Sequence, residues 1–106
     1  MTRWLSPTEV KEFIQGNLVD NFNPDTGEHV ATSIYQADGR CRMSFATGDA
    51  DGGVYGFGDN VYWTRYKTFR DGQRHTFQLE HIDEGKAQAY FGDGSKAFLQ
   101  VVAGKV

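Results

Sequence analysis

One cysteine and two prolines are all that this chain of 106 residues contains of either. A lone Cys41 excludes an intramolecular disulfide and argues against a cysteine-built zinc centre. Few prolines beside 13 glycines point to tight turns between strands, not to linkers. No apolar run is long enough to span a bilayer, and the start, "MTRWLSPTEV", does not read as a signal peptide. With Met1 as the native start, the chain is expected in the cytoplasm, away from membranes. A basic surplus is also missing. The formal net charge is −3, so nucleic acid is not an expected partner. The densest basic stretch, Arg65 to Arg74, is broken by Asp71 and by aromatics, and reads as the solvated side of a hairpin.

What is present is aromatic. An aromatic share of 14% supplies the large side chains that a disordered chain lacks. The length fits a single domain over 1–106. In "LSPTEVKEFIQGN", Ser6 and Glu9 form a capping box, Pro7 suits the first helical position, and Leu5 with Val10 forms a hydrophobic staple. Val10, Phe13 and Ile14 share one face, and Gly16-Asn17 supplies a stop. The spacing predicts a helix over about 7–15.

After the helix the period falls to two. "RCRMSF" alternates Arg40, Arg42 and Ser44 with Cys41, Met43 and Phe45, which makes Cys41 a small buried side chain. Similar runs occupy 29–35, 60–66, 74–81, 86–91 and 97–102. Between them stand Asp38-Gly39, Asp51-Gly52, Asp71-Gly72, Glu84-Gly85 and Asp93-Gly94, each a hairpin signal. The fold class expected is mainly β: an antiparallel meander of about seven strands over about 28–103. It curls into a small barrel or half-barrel capped by the N-terminal helix. A flatter sheet crossed by the helix is the second choice.

The stretch "TGDADGGVYGFGDN" (47–60) has the composition of an ion site. An EF-hand register that put Asp49 and Asp51 third and fifth would give Thr47 first and Gly58 in place of the bidentate glutamate. Gly56-x-Gly58 leads into a strand, not into the helix N-terminus that cradles phosphate. The stretch reads as a turn.

Order and motifs resemble a known family. "LSPTEVKEFIQGN", then "IYQADGR", then a glycine-aromatic segment and a Gly-Asp-Gly hairpin are similar to bacterial domain-of-unknown-function family nine-nine-five, over roughly Leu5 to Lys96. Many members look exported and carry paired cysteines in the central strands. This chain has Tyr62-Trp63-Thr64-Arg65-Tyr66 there and no second cysteine near His75, in keeping with a reducing compartment. The family has no established activity, so the resemblance implies the fold and not the function.

Strand parity supplies the candidate site. Phe77 and Leu79 mark the buried face of their strand, shared by His75 and His81, and Val61 and Trp63 are taken to join it. Trp63, Arg65, His75, Phe77 and His81 are then expected inside, around an apolar or weakly anionic small ligand. Tyr62 and Tyr66, with Tyr55, fall on the outward parity. They form a candidate patch for a protein partner or a homodimer, unless the N-terminal helix covers them. No catalytic residue, metal ligand or cofactor is assigned. No serine or cysteine stands in a nucleophile motif, the three histidines lack ligand spacing, and an enzyme ranks last.

Overall fold

The computed structural model describes residues 3–106. One helix, α1 (Pro7–Ile14), precedes eight strands: β1 (Asn17–Phe22), β2 (His29–Tyr35), β3 (Arg40–Phe45), β4 (Ala50–Gly58), β5 (Val61–Tyr66), β6 (Arg74–Asp83), β7 (Lys86–Phe91) and β8 (Lys96–Lys105). A single 3-10 turn, Phe69–Gly72, lies between β5 and β6. Every strand pairs antiparallel with the next, and β1 pairs with β8, so the meander closes into a barrel. The expected mainly β, helix-capped meander is the fold, with eight strands. Among the described residues, closure leaves no free sheet edge for another chain to extend.

The helix forms where its caps place it. Glu9 N–H donates to Ser6 Oγ (3.3 Å), and Ser6 N–H donates back to Glu9 Oε1 (3.0 Å). Gly16, at φ +74°, ends the helix and donates its N–H to Tyr35 O at 2.8 Å. Asn17 Nδ2 then donates to the carbonyls of Glu12 and Phe13, both at 2.8 Å, which satisfies two helix C-terminal acceptors. Val10 and Ile14 are buried against one end of the barrel. Each contributes about 1.5–3 kcal/mol by burial, enough to seat a helix too short to persist alone.

Two strands depart from the sequence reading. β1 lies before the expected meander, because Asn21 takes an inward position where alternation calls for an apolar residue. β4 runs straight through Asp51-Gly52, which is therefore strand and not turn. The chain reverses instead at Gly48 (φ +100°) and Asn60 (φ +58°). The 47–60 stretch is a turn, a glycine-rich strand and a second turn.

The parity of β5 is the opposite of that expected. Tyr62 stands directly opposite Phe77, and Thr64 opposite His75, so these residues share a face. Tyr62, Thr64 and Tyr66 are buried, while Arg65 is exposed and Trp63 half-buried. The tyrosines point in, and Trp63 and Arg65 point out. Tyr55 is buried too, its hydroxyl donating to Gln36 O at 2.6 Å. The outward patch of Tyr55, Tyr62 and Tyr66 therefore does not exist, and the interaction reading loses its residues. What misled the parity is polarity: tryptophan looks more like core than tyrosine or threonine does, yet this interior carries hydroxyls and amides beside its apolar side chains.

Candidate functional site

The barrel interior combines aromatic rings with amides and hydroxyls. From the strands come Asn21, Ser33, Tyr35, Met43, Tyr62, Thr64, Tyr66, Phe77 and Gln100, all buried. Asn21 Nδ2 donates to Ser33 Oγ at 2.8 Å. Gln100 Nε2 donates to Asn21 Oδ1 (3.1 Å) and to Tyr62 Oη (2.8 Å), which ties β8 to β1 and β5 across the lumen. The network is incomplete. Gln100 Oε1 has no hydrogen-bond partner among the described residues, although Gln100 is only 2% exposed, whereas the Tyr66 hydroxyl lies beside the Cys41 thiol and the Ser33 hydroxyl. Both residues line a small cavity of about 10 Å³, room for roughly one water.

The 3-10 turn closes the end of the barrel opposite α1, and Arg70 points from it into the mouth. The Arg70 guanidinium lies over four rings: Phe69 at 4.6 Å, Phe91 at 5.1 Å, Phe77 at 5.2 Å and Phe98 at 5.5 Å. Arg70 also lines the cavity. Among the described residues it makes no ion pair and no side-chain hydrogen bond. Burial lowers its pKa from the ordinary arginine value, an effect the inward tyrosines oppose. Burial pushes the Tyr62 hydroxyl up to about 12, and raises Tyr35 and Tyr66 well above the ordinary tyrosine value. All three are neutral hydrogen-bond donors at physiological pH. The Cys41 thiol, pushed by burial up to about 11, is protonated there as well.

The turn that carries Arg70 is strained and is held by Asp51. Arg70 and Asp71 both have φ +56°, and Gly72 follows at +66°. A left-handed non-glycine residue costs about 1–2 kcal/mol, so two in succession need support. Asp51 gives it: Oδ2 accepts from Thr68 N–H (2.8 Å), Phe69 N–H (2.8 Å) and Thr68 Oγ1 (3.1 Å). Those bonds, led by Phe69 N–H, hold the Asp51 carboxyl below its ordinary value. The stabilisation they give is whole above the ordinary aspartate value of 3.8 and is lost as pH falls through the lowered value in the fold. Asp51→Ala is expected to cost about 2–3 kcal/mol by loss of charge-assisted hydrogen bonds. Urea denaturation at neutral pH and again below pH 3 checks this, because the difference from wild type should shrink in acid.

The residues expected at the site are dispersed. Phe77 faces the lumen, and His75 stands half-buried at the mouth with its ring 5.8 Å from that of Phe91. His81 is exposed near the other end of β6, about 20 Å along the strand from His75 at roughly 3.3 Å per residue. Its N–H donates to Arg3 O at 2.8 Å. Trp63 lies outside, its indole over Gly56 and the Arg74 guanidinium 4.3 Å from its ring. Arg65 lies outside opposite Arg74, donating from Nε to Gly72 O at 3.3 Å. Arg70 and Asp51 were missed. Parity cannot be carried through a turn, and Asp-Gly is an equally good turn signal wherever it stands. The juxtaposition of "TFRDG" aromatics with an arginine is the one hint of Arg70 in the sequence.

Among the described residues no helix is long and apolar enough to cross a membrane. Comparison of the chain with family models, with curated proteins and with solved structures gives no match.

Proposed function

We propose that this barrel is a binding module that seats a small polar ligand in its lumen, with the Phe69–Gly72 turn as the door. One observation carries the reading: Gln100 Oε1 is buried, has no partner among the described residues, and lines a cavity with the Tyr62, Thr64 and Tyr66 side chains. Buried polar atoms are nearly always satisfied, and each orphan costs about 1–3 kcal/mol. The two bonds that Gln100 Nε2 donates account for an amide at this position, and they leave Oε1 facing the cavity. Sequences break such local rules mainly where function requires it. The cavity as closed has room for about one water, so anything larger enters only as the turn moves. The polar lining also favours a polar ligand over the apolar one the sequence allowed.

Native mass spectrometry of gently purified protein tests the proposal. The expected result is an added mass that leaves on denaturation and is lost in Gln100→Met, a variant of similar volume without the orphan oxygen. A bare protein under all gentle conditions would count against a lumen ligand. An adduct unaffected by Gln100→Met would place the ligand elsewhere.

A further inference from the structure

We infer that the ligand of this lumen is a small monoanion, a halide or a carboxylate head, recognised by Arg70. The inference rests on the lumen-ligand reading above and adds the charge that ligand must carry.

Three independent features converge on Arg70. The first is its lack of a counter-charge. Arg70 is half-buried, and a guanidinium partly withdrawn from water is normally paired, because burying an isolated charge is costly. Aromatic faces repay part of this, but they offer the N–H donors of the fork no acceptor, and no protein acceptor among the described residues bonds them. The β4 carboxylate that fastens the turn is already used: Asp51 Oδ2 accepts three bonds from Thr68 and Phe69, and its Oδ1 accepts from Gly52 N–H at 2.9 Å. Asp71 is exposed, and its side chain forms no ion pair among the described residues.

The second feature is the strain. The chain adopts two consecutive left-handed non-glycine residues at Arg70 and Asp71. Strain of this kind persists where the surroundings over-determine it, and it concentrates at ligand clamps. Here the conformation directs a cation into the mouth of the barrel instead of out to solvent.

The third is what faces Arg70 from below. Tyr66 Oη, a neutral phenol beside Cys41 and Ser33, lines the cavity as a donor, and Thr64 adds a hydroxyl that can donate. Donors from a guanidinium and a phenol around one small space make an anion-binding geometry. Gln100 Oε1 is the lone unpartnered acceptor there, suited to the O–H of a hydroxy acid or of a water carried in with the anion. The cavity of about 10 Å³ limits the part of the anion lodged beneath Arg70 to very few heavy atoms. Asp51 is a positioning residue for this site: it fastens the turn that carries Arg70 and reaches no ligand itself.

The test follows the Arg70 Nε–Hε signal and the lumen backbone amides by NMR. Sodium chloride, bromide, formate and acetate are titrated at constant ionic strength, with gluconate as the bulky compensating anion. Formamide and acetamide, neutral and similar in shape to formate and acetate, serve as controls. The expected result is a saturable shift with the anions and none with the amides. Arg70→Gln should weaken the response at least tenfold, while Arg42→Gln, which removes an exposed cation of β3 away from the turn, leaves it unchanged. Tighter binding of chloride or bromide assigns an ion, and tighter binding of formate or acetate assigns an organic acid. Equal saturation by anions and amides would overturn the charge inference and leave the lumen reading intact. Lumen amides unmoved by every probe would overturn both. The comparison of anion with amide needs no substitution, so it decides the question even if Arg70→Gln fails to fold.

Discussion

Tyr62→Ala is expected to lower folding stability by about 3–5 kcal/mol, the range for removing a large aromatic side chain from a core. The ring is 1% exposed and sits near the middle of the barrel. It stacks on Phe77 with centroids 5.2 Å apart, and the Tyr35 ring meets it edge-on at 6.0 Å. Its hydroxyl accepts the Gln100 bond that ties β8 to β5. Alanine removes all three contacts and leaves a void that closed strands cannot collapse to fill. Tyr62→Phe isolates the hydroxyl: Gln100 Nε2 keeps Asn21 Oδ1, so the cost should be about 1 kcal/mol. Urea unfolding of the two variants beside wild type makes the comparison. A neutral Tyr62→Ala would put the ring on the surface and reverse the parity of β5.

Gly53→Ala is expected to cost about 3 kcal/mol, with Gly52→Ala beside it close to neutral. The two glycines are adjacent in β4 but meet different surroundings. A Cβ on Gly52 would find only Cys41 O at 3.8 Å, an ordinary contact. A Cβ on Gly53 would run into the Arg65 carbonyl oxygen and lie 2.8 Å from Tyr66 Cα. Both obstacles are backbone of the paired strand β5, which cannot retreat without breaking its ladder. The strand pair approaches this closely because Gly53 has no side chain, and Tyr66 stands directly opposite it. Thermal melts of both variants check the contrast. Equal effects at the two positions would remove the close approach as the cause.

How much of this was legible depended on the range of each signal. The cap of α1 was readable because Ser6 and Glu9 are three residues apart and meet within one turn. Arg40 to Phe45 was readable because its inward residues are apolar and its outward ones are not. β1 and β4 were harder to read, since an inward Asn21 and four glycines erase the alternation. β5 showed its period but not its sign. With aromatics at 62, 63 and 66, hydrophobicity alone could not say which set faced in.

By itself the sequence determined a small, mainly β meander, its helix with both ends, and the burial of Cys41. Only the tertiary structure decided that the barrel closes, because β1 and β8 meet from opposite ends of the chain. It also decided that the glycine-rich stretch is a strand, and that Asp51 holds a turn 17 residues further on. Above all it decided that Arg70, which reads as one more solvated cation, lies over four rings at the mouth of a polar lumen. The physical reason is the same in each case. Local pattern fixes period, caps and turns, whereas the side of a wall a residue faces is fixed by what the other strands place across from it.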